Sequence, residues 1–198
     1  MSRVVQMIAG TTMVEKMFAA VGDRLREGGA TASIVVLGGA ALNLLGFVDR
    51  PTRDVDVLAR RDDETGALRH PEPLPAALVK AIVEVALDFG EPRDWMNTAV
   101  AFQWVTGLPP GLEQRIEWRA FGALRVGLVA REDLIAFKLY ASADQTGPAS
   151  VHVSDLLALR PTPQELVQAA AWIRTQDASP DFHVVVDRVV AYVQDHGR

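Results

Sequence analysis

Apolar positions recur at helical spacing between residues 11 and 27. Met13, Met17, Phe18, Val21 and Leu25 share one face, and Gly28-Gly29 follows as a stop. The pattern then changes. SIVVLGG, residues 33–39, is a β-branched run closed by two glycines and predicts a buried strand followed by a turn. AALNLLGF (40–47) predicts a short helix, and RPTRDVDVLA places a strand at 53–59. The charged stretch 60–73 holds Gly66, Pro71 and Pro73 and reads as a loop. Residues 74–90 predict a strong helix ending at Gly90. Segment 91–112 fits either a short helix or irregular packing.

Alternation returns at 115–130, which predicts a hairpin with Gly122 near its turn. A helix over 131–144, a loop over 145–153 and a short helix over 153–159 follow, the last stopped by Pro161. Thr162-Pro163-Gln164-Glu165 is a capping-box pattern that opens a helix to about Gln176, and Ser179-Pro180 opens the last one. Strands dominate the middle of the chain and helices fill its end. The expected class is α+β: a small mixed sheet flanked by helices over 1–130, with a helical C-terminal part, 131–198, packed on it.

Composition narrows the chemistry. The chain has 198 residues, 49% of them hydrophobic and 23% charged, the balance of a globular protein with a sizeable core. The net charge of −5 gives no broad basic excess for holding nucleic acid, although a local basic patch remains open. Cysteine is absent, which removes disulfides, thiolate metal sites and cysteine nucleophiles. No apolar run reaches membrane-span length and no signal segment opens the chain, so the expected location is cytoplasmic, without a membrane partner.

The chemistry-bearing stretch is RPTRDVDVL, residues 50–58. On a strand, Asp54 and Asp56 project from one face and Val55 and Val57 from the other, with the aspartate Cα atoms roughly 6.5–7 Å apart. Two neighbouring carboxylates call for a positive charge between them. Gly38-Gly39 lies between a strand and a helix, where backbone amides can approach a phosphate closely. Arg50, Thr52 and Arg53 stand at the entrance to the doublet. The cation that suits this set is Mg²⁺ (or Mn²⁺) carrying a nucleoside triphosphate. A bland reading competes for each piece: a tight turn for the glycines, a solvated strand face for the aspartates.

Strand, Gly-Gly, helix, strand, Asp-x-Asp resembles the polymerase-β-like nucleotidyltransferase superfamily. The string GGAALNLLGFVDRPTRDVDVL, through Gly38, Gly39, Ala41, Gly46, Arg50, Thr52, Asp54 and Asp56, is similar to AbiEii-type toxin nucleotidyltransferases of bacterial toxin–antitoxin systems. EDLIAFKLYA and VSDLLAL resemble two further pieces of that branch, and the resemblance places Lys138 and Asp155 with Asp54 and Asp56 in the catalytic set. The resemblance implies a nucleotidyltransferase core and transfer of NMP from an NTP to an acceptor hydroxyl with release of pyrophosphate. It leaves the acceptor open among tRNA, a protein hydroxyl and a small molecule, and implies an antitoxin partner. It also implies a third carboxylate from a later strand, for which Glu117 is the candidate, an exposed strand glutamate being the equal alternative.

Lys138 shares a helical face with Leu134, Ile135 and Ala141. An ammonium there either snorkels to solvent, pairs with Asp155 or contacts the triphosphate. The stretch 141–154 contains no Arg or Lys, with His152 as the one stand-in. That favours the rival reading, a catalytically inactive nucleotide- or protein-binding relative. A kinase-like phosphotransferase, making a nucleoside diphosphate instead of pyrophosphate, is a third. The four tryptophans, Trp95, Trp104, Trp118 and Trp172, read as core and not as stacking platforms.

Overall fold

The structure, a computed structural model, describes residues 10–144 and 150–197, with side chains from 13 onward. The described residues form two compact units. The first comprises residues 10–105 and 113–129, the second 106–112 and the described residues from 130. The class is α+β.

The first unit is built on a six-stranded mixed sheet. In chain order the strands are β1 (Ala32–Leu37), β2 (Val55–Arg61), β3 (Leu68–Arg69), β4 (Met96–Asn97), β5 (Glu117–Phe121) and β6 (Leu124–Leu128). Their order is β3-β2-β1-β6-β5, with β4 also paired to β2. β1 runs parallel to β6 and antiparallel to β2. Every residue of β1 is buried, as a central strand requires.

One sheet face carries Ala32, Ile34, Val36, Val55, Val57, Leu124, Val126 and Leu128. It packs with the apolar stripes of α1 (Gly10–Glu27) and α3 (Ala76–Phe89) into one core. Val14, Met17, Phe18, Val21 and Leu25 form the α1 stripe, while Met13 is only partly buried at its margin. Trp95 fills this core and donates its indole N–H to the Ile82 carbonyl (3.1 Å). Gly90, left-handed at φ 72°, ends α3.

A bulge interrupts the β1–β2 ladder between Val35 and Val36. Leu37 opposes Asp56 and Val36 opposes Val57, but Val35 opposes Ala59 and Ile34 opposes Arg60. The extra residue shifts the parity of β2, so Asp56 before the bulge and Ala59 and Arg61 after it project from the same face.

The second unit is helical: α6 (Arg131–Asp144), α7 (Val151–Ala158), α8 (Pro163–Gln176) and α9 (Pro180–His196). Phe137 of α6 meets Trp172 of α8 edge to face, with centroids 5.4 Å apart. The capping box at Thr162 and Glu165 is formed. Arg131 pairs with Glu165 and donates to the Leu159 and Arg160 carbonyls (2.6 and 2.9 Å), tying the start of α6 to the α7–α8 corner.

Several expectations are corrected. The 60–73 loop contains β3, and β2 runs from 55 to 61, not 53 to 59. Gly38 and Gly39 belong to the first turn of α2 (Gly38–Leu44) instead of a separate turn. Segment 91–112 contains β4 and the short helix α4 (Phe102–Thr106), and α5 (Leu112–Arg115) precedes the hairpin. Residues 151–153 are helical, capped by Ser150, while 145–149 of the expected loop lie outside the described residues. Trp104 and Trp118 are half-buried, not core.

Gly22 is the tightest glycine. A Cβ built there would stand 1.7 Å from the Phe121 carbonyl oxygen, at the β5–β6 turn. Gly22→Ala should therefore lower stability, because overpacking against backbone this close costs toward the upper end of about 1–3 kcal/mol, more than the roughly 1 kcal/mol that alanine gains in a helix. A urea melt with an unchanged or higher midpoint would refute this.

Candidate active site

The antiparallel register sets Leu37 opposite Asp56 and carries the chain from β1 straight into Gly38. Gly38 has φ +76°, and a Cβ there would fall 2.4 Å from Asp56 Oδ2. The carboxylate therefore abuts backbone that only glycine leaves open. A Cβ on Gly39 would meet Thr52 Oγ1 at 2.5 Å and Arg50 Nη2 at 3.7 Å. Thr52 is buried and donates its hydroxyl to the Asp54 carbonyl (3.1 Å). The structure thus brings Gly38, Gly39, Arg50, Thr52 and Asp56 together. Asp54 and Asp56 are both half-buried, and Arg53 is exposed between Thr52 and Asp54.

Two residues that sequence reasoning passes over hold this arrangement. Asn43, 1% exposed on α2, donates its amide to the Arg50 carbonyl (2.8 Å) and ties the helix to the loop entering β2. A fully apolar helix with one asparagine was the available signal. Asn97 of β4 opposes Asp56 in parallel register and donates to Asp54 Oδ2 (3.3 Å). Its own Oδ1 accepts from the Ala99 N–H (2.8 Å), which fixes the amide orientation. Asn97 therefore holds the Asp54 carboxylate from the strand position that pairs with Asp56.

Glu117 is not brought to the doublet. β5 lies three strand positions from β2, roughly 14 Å laterally. Glu117 also opposes Leu128 and so points to the core side of the sheet, whereas Asp56 shares the face of Leu37. Its carboxylate pairs with Arg119 (2.8 Å). Among the described residues no cluster of three or more His, Asp or Glu side chains is placed to hold a metal. The donor set is two oxygen-bearing carboxylates. That fits Mg²⁺, which is commonly held by one or two carboxylates plus substrate phosphates, and does not fit an all-protein cage.

Lys138 and Asp155 meet in the second unit. Nζ and Oδ2 are 2.7 Å apart, with side chains 7% and 2% exposed. Of the readings open for Lys138, snorkelling is excluded by this burial and pairing with Asp155 is what the fold realises. The pair joins α6 to α7 within the helical unit.

A glycine pair closing a strand against a carboxylate of the next strand, in a small mixed sheet, is consistent with a nucleotidyltransferase core. The chain belongs to the family DUF6036, described as a nucleotidyltransferase of unknown function, whose profile matches residues 15–158. Neither the curated proteins nor the solved structures give a match. No helix among the described residues is long and apolar enough to cross a membrane.

Two outcomes follow from this geometry. Gly38→Ala should displace the Asp56 carboxylate and weaken binding of Mg²⁺–NTP at least tenfold while leaving the melting transition cooperative; titration calorimetry at unchanged affinity would contradict it. Lys138→Met should cost about 3–5 kcal/mol, because it strands a buried carboxylate. Adding Asp155→Leu should recover part of that loss, and a thermal melt of the double variant no better than the single one would show that the pair is not what is missed.

Proposed function

We infer that the protein transfers a nucleoside monophosphate from an NTP to an acceptor hydroxyl. The acceptor oxygen bonds to the α-phosphorus, the bond from that phosphorus to the bridging oxygen of the departing pyrophosphate breaks, and the hydroxyl proton is lost to solvent. The observation that carries this reading is the approach of Asp56 Oδ2 to the bare Cα of Gly38. Asp54 and Asp56 would hold Mg²⁺ (or Mn²⁺), which when bound offsets the charge of the carboxylates and of the triphosphate. The missing side chains of Gly38 and Gly39 make room for Asp56 and Thr52, their backbone amides would meet the phosphates, and Arg50 adds a guanidinium beside Gly39. Thr52 and Asn97 keep the Asp54 side in place through its carbonyl and its carboxylate. Lys138 and Asp155, which the resemblance assigns to the catalytic set, are paired with each other in this fold.

The resemblance to the AbiEii-type branch extends this reading to a cytoplasmic toxin of a toxin–antitoxin system. An antitoxin protein would then be the partner and tRNA or a protein the acceptor. The rival, an inactive binding relative, is supported by the absence of Arg and Lys from 141–154.

Incubation with Mg²⁺ and each NTP, with pyrophosphate release as the readout, separates the two. The active reading expects release that falls at least about a hundredfold in Asp56→Asn, the scale of losing a principal electrostatic group, with the fold retained by circular dichroism. Nucleotide binding without release in the parent protein would favour the inactive relative. In a bacterial host, growth arrest by the parent and not by Asp56→Asn is the expected mark of a toxin.

A further inference from the structure

The two faces of β5 carry different chemistry. Trp118 sits opposite Gly127 of β6, where a Cβ would stand 3.1 Å from the indole, and Arg61 of β2 flanks the ring at 5.3 Å from its centre. Glu117, Arg119 and Phe121 take the other face, opposite the core residues Leu128, Val126 and Leu124. A half-buried guanidinium among apolar partners needs acceptors. Arg119 finds them in two directions. Nε donates to Glu117 Oε1 (2.9 Å), and Nη2 stands 2.8 Å from the same oxygen. Nη1 donates to the Leu44 carbonyl (2.8 Å), 75 positions away at the end of α2.

The two links differ in weight. The Glu117 carboxylate is 55% exposed, and a pair of that kind contributes little by itself. Its effect is to turn the guanidinium so that Nη1 faces α2. The Leu44 link completes a helix end. A helix leaves its last four carbonyls without intrahelical donors. In α2 the Ala41, Leu42 and Asn43 carbonyls accept from the Leu45, Phe47 and Gly46 N–H groups, with Gly46 left-handed at φ 76°. The fourth, Leu44, receives Arg119, and a cation is favoured at a helix C-terminus.

The opposite end of this seven-residue helix is Gly38, about 9 Å away by the rise per residue. No side chain caps that end. A Cβ on Gly38 would fall 2.4 Å from Asp56 Oδ2, so a small axial slip of α2 changes what the carboxylate meets.

We propose that Arg119, oriented by Glu117, is a positioning residue for nucleotidyl transfer: it fixes α2 along its axis and so sets Gly38 against Asp56. The consequence for turnover rests on the nucleotidyl-transfer reading, while the anchoring itself rests on the Leu44 contact. Glu117 serves through an accepting oxygen and not as a metal ligand. The planar fork of arginine reaches both acceptors at once, which a lysine cannot do.

The full chain is compared with Arg119→Gln, Glu117→Ala and Glu117→Gln by thermal melt, by amide hydrogen exchange, and by pyrophosphate release with Mg²⁺ and each NTP well below the melting transition. Arg119→Gln should speed exchange at Leu45, Gly46 and Phe47 about tenfold, the scale of one lost hydrogen bond from a charged donor, with exchange in α3 as in the parent. Release should fall by about the same factor or more. Glu117→Ala should move both readouts the same way by less. Glu117→Gln keeps an accepting oxygen and should recover most of what Glu117→Ala loses. A residue that only stabilised the fold would lower the melt and leave release by the folded protein as in the parent. That result overturns the proposal, as does unchanged exchange in α2. Equal losses in Glu117→Gln and Glu117→Ala, the mark of a charge-bearing metal ligand, overturn it too. Should Arg119→Gln fail to fold, Glu117→Ala carries the test. No release by the parent fails the nucleotidyl-transfer reading instead; exchange then decides the anchor alone, faster exchange supporting it and unchanged exchange overturning it.

Discussion

The pairing of β1 with β2 is the constraint on which the site hangs. It is a short ladder, buried on its core face by α1 and α3, and it fixes which residue of β2 lies beside the end of β1. Because a slip of one residue would turn every β2 side chain to the other face, core burial of Val55 and Val57 holds the register as firmly as the hydrogen bonds do. The acidic residues are thus positioned by the valines that alternate with them. The glycine pair then follows from space alone, since the carboxylate occupies the volume that any other side chain at 38 would need.

The polar residues behind this contact spread the task over three elements. Asn43 anchors α2 to the Arg50 carbonyl, Thr52 anchors its own loop to the Asp54 carbonyl, and Asn97 reaches across from β4. None of them adds charge. A neutral amide at 97 steadies the Asp54 carboxylate through a donated hydrogen bond without adding a third negative group beside the doublet. In the helical unit the opposite device is used: a full charge pair, buried and closed, locks α6 to α7.

The sequence made some of this legible and left the rest hidden for identifiable reasons. The long helices announce themselves by period, and the capping box at Thr162 by its spacing. The glycine pair and the doublet are each local patterns, separated by too few residues for their strands to lie far apart. Lys138 stands out because an ammonium on an apolar helical face needs an answer. β3 and β4 are two residues long and show no alternation, so Asn97 could not be placed. Glu117 is a candidate because the resemblance calls for a third carboxylate from a later strand; its position depends on the order of the strands across the sheet, which no local window contains. Trp118 reads as core, and only the glycine across from it reveals the room its ring takes beside β6.

The bulge between Val35 and Val36 has a consequence for anyone moving this motif into another scaffold. Asp56 and Arg61 are an odd number of positions apart, and a regular hairpin of the same sequence would present them to opposite sides. A designed host that copied the residues but idealised the ladder would deliver the acids to one surface and the guanidinium to the other. The irregularity is thus part of the transferable unit, and a graft of this strand pair must import the defect together with the side chains.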